Sequence, residues 1–335
     1  MSLLVWGAGA VGGAVGAALV QAGLDVTFVD TDAAHVAALN THGLVLEKAG
    51  TEVVLPVRAV LPADLDGRWP RALLCVKSQH TAAAAASLRR HLAADGVALS
   101  LQNGLCAEIL AEAVGAARTL AGFVNFGADV LAPGRIAFGN RGTVAIGELD
   151  GQMTARLADM AALLRHFEPE TCCTPAIHGY VWGKLAYASL LFAQALGRAG
   201  IADCLARPDL AGLWARLAGE VLAVAAAENV QPLGFNGFEP EAFAAGSADS
   251  ARQASIAAMV AFNRASSKSH SGVWRDLAVH RRPTEVDAML GRVVARGAAH
   301  GLPCPVLARL VAMVHDIETG VRHQADANLD ELAMA

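Results

Sequence analysis

The stretch that decides the fold is Leu3-Leu4-Val5-Trp6 followed by Gly7-Ala8-Gly9-Ala10-Val11-Gly12-Gly13. The apolar run predicts a short buried strand, and the small residues at 14–22 predict a helix that ends at Gly23. The turn between them fits GxGxxG: the first glycine permits the sharp turn, the second admits a pyrophosphate, and the third allows helix and strand to pack closely. The sequence therefore predicts a dinucleotide site at the amino end of a helix. Its candidate residues are Gly7, Ala8, Gly9, Ala10, Val11 and Gly12.

A second predicted strand, Val26–Val29, ends at Asp30, 18 residues after Gly12. A carboxylate at this position can accept hydrogen bonds from the adenosine ribose and repels a 2′-phosphate. Residues 25–47 contain no Lys or Arg that would neutralise such a phosphate. The pattern favours NAD(H), with NADP(H) possible. The alternative is that Asp30 or Asp32 only caps the following helix.

Strands and helices are predicted to alternate through the first half of the chain. Further apolar runs with β character are Val53–Val57, Ala72–Val76, Val97–Leu101, Thr119–Val124 and Thr143–Ile146. This alternation predicts a mostly parallel sheet covered on both faces. Later segments have helical spacing instead: Tyr180–Leu196, Leu210–Glu228, Ala251–Ser266, Pro283–Gly301 and Pro305–Thr319. We expect an α/β dinucleotide-binding domain over 1–175 and an all-α domain over 176–335, with a loose tail from about Arg322.

Composition excludes several classes of protein. The 335 residues carry a net charge of -5 and contain 54% hydrophobic and 17% charged residues, which excludes a disordered chain. Without a run of Lys or Arg, nucleic acid is not an expected partner. The six cysteines form no CxxC pair and no metal-type cluster with histidines, so we expect no metal and a reducing cytoplasm. Residues 3–24 are apolar, but no basic flank precedes or follows them, so we expect no membrane span or signal peptide.

Four more short motifs follow the glycine turn in order: Lys77-Ser78-Gln79, Leu101-Gln102-Asn103-Gly104, Trp182-Gly183-Lys184-Leu185, and Arg275-Asp276 with Pro283-Thr284-Glu285-Val286-Asp287. Together they resemble the ketopantoate reductase (2-dehydropantoate 2-reductase) family over nearly the whole chain. The resemblance implies a Rossmann-type domain and a helical domain with the active site in the cleft between them. It implies hydride transfer between a nicotinamide cofactor and a 2-keto or 2-hydroxy acid, in pantothenate biosynthesis for the family's named substrate.

The resemblance also implies roles for individual residues. Lys184 would be the general acid, and Glu285 would orient it or bind a substrate hydroxyl. Asn103 would lie near nicotinamide and substrate, and Lys77 near the cofactor. Three of them have a structural alternative: a surface lysine at 184, a helix-terminal acid at 285 and a turn residue at 103. Lys77, at the end of a predicted strand, is the least distinctive of the four.

The sequence departs from the family pattern where substrate would bind. Ala188 and Phe192 replace two asparagines, and Gly272 replaces a serine, with His270 and Ser271 beside it as substitute substrate-binding candidates. The segment from Asp276 to Glu285 is also one residue longer than the resemblance implies.

The pocket should therefore be more apolar than the family's, because each lost amide removes potential hydrogen bonds. Three functions stay open: ketopantoate reduction, an NAD-dependent hydroxyacid dehydrogenase with a less polar substrate, and a non-catalytic dinucleotide-binding sensor. The long apolar helices make a homodimer the expected assembly.

Overall fold

The computed structural model describes residues 2–266 and 268–335. Contacts divide the chain into two compact units, one that ends at Ile177 and one that begins at His178. The strands lie in the first unit and are β1 Ser2–Trp6, β2 Asp25–Val29, β3 Leu44–Lys48, β4 Thr51–Leu55, β5 Arg58–Val60, β6 Trp69–Leu74, β7 Leu92–Ser100, β8 Thr119–Val124, β9 Ala128–Ala132, β10 Arg135–Phe138, β11 Val144–Glu148 and β12 Cys172–Cys173.

Eight strands form one sheet in the order β12-β11-β8-β7-β6-β1-β2-β5, and every neighbouring pair except β8 with β11 is parallel. Five helices accompany it: α1 Ala10–Gln21, α2 Ala33–His42, α3 Thr81–His91, α4 Cys106–Val114 and α5 Ala155–Leu164. Leu3 and Val5 join a buried cluster with α1 and α5, whereas Leu4 and Trp6 join another with α3 and α4. Successive strand residues point to opposite faces, so both faces are covered. The predicted α/β fold with a mostly parallel sheet is confirmed.

A second sheet has the order β4-β3-β10-β9. The apolar pattern does not predict it beyond Val53–Val57, a run whose first three residues lie in β4 and whose last two precede β5. Its first hairpin turns at Ala49 and Gly50, both with positive φ. The sheet packs against α1 so closely that a Cβ on Gly13 would lie 1.9 Å from Cδ1 of Ile136. Gly13, which lies outside GxGxxG, therefore allows the close approach, because a side chain there would displace the end of Ile136.

The second unit is helical. Its helices are α6 Ile177–Gln194, which starts at the last residue of the first unit, then α7 Ile201–Leu205, α8 Ala211–Ala227, α9 Asp249–Ala265, α10 Gly272–Arg275, α11 Arg292–Ala299, α12 Pro305–Glu318 and α13 Ala327–Met334. Trp182 and Trp214 are fully buried at its core. Among the described residues, one helical segment, Pro208–Ala227, has the length and apolar composition of a membrane span, and half of it is buried inside the protein, as in a core helix.

Two predictions for this unit need correction. The helical segment predicted at 283–301 begins only at residue 286, because residues 281–285 are irregular, and it then passes through a π-helical turn, Asp287–Gly291, into α11. The chain after Arg322 is not a loose tail, because it forms α13. Leu329 and Leu332 of that helix are buried, and the Asn328 amide donates to the Leu196 carbonyl at 3.0 Å. These buried leucines are spaced three apart among polar residues, a signal too short to predict a helix.

Candidate active site

The sequence-predicted cofactor residues lie at one edge of the eight-stranded sheet. The glycine turn follows β1, Asp30 follows β2, Lys77 comes three residues after β6, and Asn103 three residues after β7. These strands are adjacent and parallel in the order β7-β6-β1-β2, so their carboxyl ends share an edge. The chain places β2 on one side of β1 and later places β6 on its other side, so the strand order reverses at β1. Ligands of open α/β sheets bind at such a reversal.

The glycines of the turn are required for different reasons. Gly7 has φ +99°, and a Cβ there would lie 2.7 Å from the backbone nitrogen of Val76. A Cβ on Gly12 would lie 1.9 Å from the carbonyl oxygen of Gly7, so this glycine is required for close packing. A Cβ on Gly9 would meet nothing nearer than Val130 Cγ2, at 4.0 Å. The protein's own packing does not require a glycine at position 9, which leaves room for a ligand.

Gly9 is also the N-cap residue of α1, and no side chain caps this helix end in the described part of the chain. Helix amino ends carry backbone N–H donors and a positive dipole that favour phosphate. The open space at Gly9 and this uncapped end together fit the pyrophosphate of a dinucleotide.

Asp30 and Asp32 have separate functions. Asp32 caps α2, because its carboxylate accepts hydrogen bonds from the backbone N–H groups of Ala34 at 2.9 Å and His35 at 3.1 Å. Asp30 accepts from the backbone N–H of Ala8 in the glycine turn at 2.8 Å and of Asp32 at 3.0 Å. A carboxylate has about four acceptor sites, so both Asp30 oxygens can accept further bonds. Its contact with ribose stays a prediction.

His35 is a residue that the sequence patterns do not single out. Its ring is buried, and its Nδ1 accepts from the backbone N–H of Gly134 at 3.0 Å. The ring proton must then lie on Nε2, which donates to the carbonyl of Ala8 at 3.0 Å. His35 therefore ties the glycine turn to the β9–β10 hairpin, a contact between residues far apart in sequence.

The loops that carry Lys77 and Asn103 are held together by hydrogen bonds. The Ser78 hydroxyl donates to the backbone carbonyl of Asn103 at 2.8 Å. The Gln102 amide donates to the backbone carbonyl of Val76, also at 2.8 Å. These bonds set the spacing of the two loops beside the glycine turn. Their roles towards cofactor and substrate stay predictions.

Lys184 occupies a partly buried position in the middle of α6. A Cβ on the preceding residue, Gly183, would lie 2.0 Å from the carbonyl oxygen of Leu233, so the loop at 231–233 crosses this helix at backbone distance. Burial lowers the pKa of Lys184 to about 8, and the charge of Glu285 opposes that decrease. Desolvation disfavours the charged ammonium form, an effect that a solvated surface lysine would not experience.

Glu285 lies between two residues anchored to α12. The Thr284 backbone N–H and hydroxyl donate to one Glu318 oxygen at 2.7 and 2.6 Å. The His315 ring contacts the other Glu318 oxygen at 3.0 Å and Asp287 at 2.9 Å. Burial lowers the pKa of His315, but its bonds to the two carboxylates outweigh this, so the pKa is raised overall. The backbone on both sides of Glu285 is thereby fixed.

A π-helical turn, Asp276–His280, precedes the Glu285 segment. Its first residue, buried Asp276, accepts from the Arg282 guanidinium at 2.8 Å, and Arg281 between them has φ +49°. A π turn holds one residue more than an α turn and is frequent at functional sites. That the segment is one residue longer than in the family stays a prediction from the sequence.

His270 and Ser271 lie at the carboxyl end of α6. Ser271 is buried, caps α10, and its hydroxyl donates to the Gln194 side chain at 3.3 Å. The His270 ring contacts the carbonyl of Arg198 at 3.1 Å. Gln194 is ten residues beyond Lys184, which is about 15 Å along a helix. The substrate-binding role of His270 and Ser271 stays a prediction.

The family model described as "Ketopantoate reductase PanE/ApbA" matches residues 3–151, and its C-terminal model matches residues 176–318. A 2-dehydropantoate 2-reductase of Halobacterium salinarum is 33% identical over 324 residues, which cover 94% of this chain and 98% of the relative.

Two solved structures share the fold. A ketopantoate reductase family structure from Ralstonia eutropha superposes with a TM-score of 0.80 at 26% identity, covering 96% of this chain and 100% of the other. A D-mandelate dehydrogenase complex with NADH and anilino(oxo)acetate has a TM-score of 0.83 at 21% identity, covering 96% and 99%. With models of the family matched over both units, the chain belongs to the ketopantoate reductase (PanE/ApbA) family, with its Rossmann-type α/β domain and its helical domain.

Proposed function

We propose that this protein transfers a hydride between a nicotinamide cofactor and a 2-keto or 2-hydroxy acid, with Lys184 as general acid or base. As a member of its family, the protein is an oxidoreductase that acts on CH–OH groups. The observation that carries the proposal is the partly buried Lys184, whose pKa is lowered to about 8 beside Glu285. The best catalytic acid or base has a pKa near the operating pH.

The chemistry requires a proton donor at the carbonyl. The nicotinamide, when bound, supplies or accepts the hydride. As a hydride reaches the carbonyl carbon, the oxygen gains negative charge, which an ammonium stabilises and then neutralises by giving up a proton. In the reverse direction, the neutral amine of Lys184 takes the hydroxyl proton. Glu285 favours the ammonium form and so keeps Lys184 from losing its proton well below pH 8.

The proposed substrate has an apolar side chain on its 2-keto acid group. Positions 188 and 192 of α6 are Ala188 and Phe192, both buried, which offer no side-chain hydrogen bonds. Ketopantoate carries a hydroxyl that such positions cannot bind. Its matched analogue without that hydroxyl is 3,3-dimethyl-2-oxobutanoate.

The two keto acids test the function directly. We expect kcat/KM for 3,3-dimethyl-2-oxobutanoate to equal or exceed that for ketopantoate, because a bond to the hydroxyl would contribute only about 0.5–1.5 kcal/mol and positions 188 and 192 cannot supply it. The measurement is loss of the NADH absorbance band with each acid. A strong preference for ketopantoate would contradict the apolar pocket. NADH binding without turnover of any branched or aromatic 2-keto acid would favour the sensor.

We propose NAD(H) as the preferred cofactor, because the Asp30 carboxylate lies at the end of β2 and holds the glycine turn through Ala8. We expect kcat/KM for NADH to exceed that for NADPH by about tenfold or more, since a carboxylate repels a 2′-phosphate. Asp30→Asn keeps an acceptor for Ala8 but removes the charge, so the preference should narrow. Asp32→Asn is the matched control and should retain the preference. A wild-type protein that prefers NADPH would contradict this assignment.

Three properties of the protein stay predictions from the sequence: a homodimeric assembly, a cytoplasmic location, and substrate binding and dimerisation by residues 176–335.

A further inference from the structure

Tyr187 lies on α6, one helical turn after Lys184. Its side chain is 7% exposed. The centroid of its ring lies 5.4 Å from that of Phe235, with an angle of 81° between the ring planes, and 5.8 Å from that of Phe238, with an angle of 49°. Residues three apart share a helix face, and long helical side chains lean towards the preceding turn. The phenol therefore lies over the turn that carries Lys184.

The hydrogen bonds of the Tyr187 hydroxyl are defined by Asn263 on α9. The Asn263 amide nitrogen donates to the backbone carbonyl of Met259 at 2.8 Å and contacts the Tyr187 oxygen at 3.0 Å. The first bond identifies this atom as nitrogen, which can only donate. The Tyr187 oxygen is therefore the acceptor, and its own proton has no acceptor within residues 2–266 and 268–335.

A buried donor without an acceptor is destabilising, and in native proteins it calls for a partner outside the described contacts. The donor is also permanent at neutral pH. Burial raises the pKa of Tyr187, although its bond from Asn263 opposes the increase. The phenol thus keeps its proton where the reaction would run.

The ring cannot easily turn away. Phe235 and Phe238 flank a turn in which Asn236 and Gly237 both have positive φ. The Ser255 hydroxyl donates to the Gly237 carbonyl at 2.8 Å, which fastens this turn to α9. The phenol is therefore held in position before any ligand arrives, and preorganised groups bind with a smaller loss of entropy.

We propose that the Tyr187 hydroxyl binds the substrate, donating a hydrogen bond to the carboxylate of the 2-keto acid while Lys184 serves the carbonyl oxygen. The inference rests on the proposed function. The Tyr187 hydroxyl would supply a hydrogen-bond donor for the substrate on α6, where the side chains at positions 188 and 192 supply none. A phenol combines that donor with an apolar ring, which suits a keto acid whose side chain is apolar.

The first test is Tyr187→Phe, which removes only the hydroxyl. We expect KM for 3,3-dimethyl-2-oxobutanoate to rise about 10- to 100-fold, as for a lost bond to a charged group, with kcat changed by less than about threefold. The matched control is Ser189→Ala. Ser189 is a buried hydroxyl on the same helix that donates to its own helix carbonyl, that of Ala186, at 2.7 Å. This control should leave KM unchanged.

The second test does not require turnover. Binding of the same keto acid to protein loaded with NAD⁺ forms no product, and ligand-observed NMR gives its Kd. Weaker binding by Tyr187→Phe but not by Ser189→Ala supports the inference, even if wild-type turnover is absent and the proposed function fails. An unchanged Kd, an equal loss in both variants, or no binding to the wild-type protein overturns it.

Discussion

Lys184→Ala is expected to lower kcat for keto acid reduction by about 10²- to 10⁴-fold, the contribution typical of a general acid. Without the ammonium, the charge that develops on the carbonyl oxygen has no proton donor. NADH affinity should stay within about twofold, because the candidate cofactor residues lie in the glycine turn and its neighbouring loops. Lys48→Ala is the matched control, since Lys48 is an exposed lysine at the end of β3. Stopped-flow or steady-state NADH absorbance measures kcat in both variants. Unchanged kcat in Lys184→Ala would remove this lysine from the mechanism.

The pH profile gives a second readout of the same residue. Because burial lowers the pKa of Lys184 to about 8, kcat/KM for reduction should fall as pH rises above about 8 and the ammonium is lost. Oxidation of the hydroxy acid needs the amine and should fall as pH drops below that value. Glu285→Gln removes the charge that favours the ammonium, so both limbs should move to lower pH. Limbs that stay in place would exclude coupling between Glu285 and the group that titrates.

Gly9→Ala is expected to fold like the wild-type protein and to bind NADH about 10²-fold more weakly. The new Cβ would meet nothing nearer than 4.0 Å within the chain, so the thermal midpoint should change by no more than about 2 °C. A pyrophosphate, by contrast, must approach the backbone where that methyl would lie. Quenching of protein fluorescence by NADH measures the affinity.

Gly12→Ala is the companion variant. Its Cβ would lie 1.9 Å from the Gly7 carbonyl oxygen, and backbone cannot yield as a flexible side chain does. We expect a loss of roughly 3–5 kcal/mol of stability. Wild-type NADH affinity in Gly9→Ala would exclude this turn as the pyrophosphate site. Wild-type stability in Gly12→Ala would show that close packing does not require the third glycine.

Local patterns explain why the fold class was predictable. The strand, turn and helix at residues 2–21 depend on neighbours within a few positions, and alternating apolar runs predict a parallel sheet. The second sheet was not predicted because its short strands carry exposed and charged residues, and because β3 pairs with β10, which is distant in sequence. The helix after Arg322 was not predicted because it is stabilised by the burial of its few apolar residues and not by a local pattern.

By itself, the sequence determined the glycine turn, the division into an α/β and a helical half, and the family motifs that include Lys184 and Glu285. Those features are carried by spacing along the chain. Only the tertiary structure decided the lowered pKa of Lys184, the tautomer of His35 and the position of the Tyr187 hydroxyl, whose proton has no acceptor among the described residues. The pKa depends on desolvation, the tautomer on Gly134, 99 positions from His35, and the Tyr187 hydroxyl on Asn263, 76 positions away. Such contacts exist only once the chain is packed.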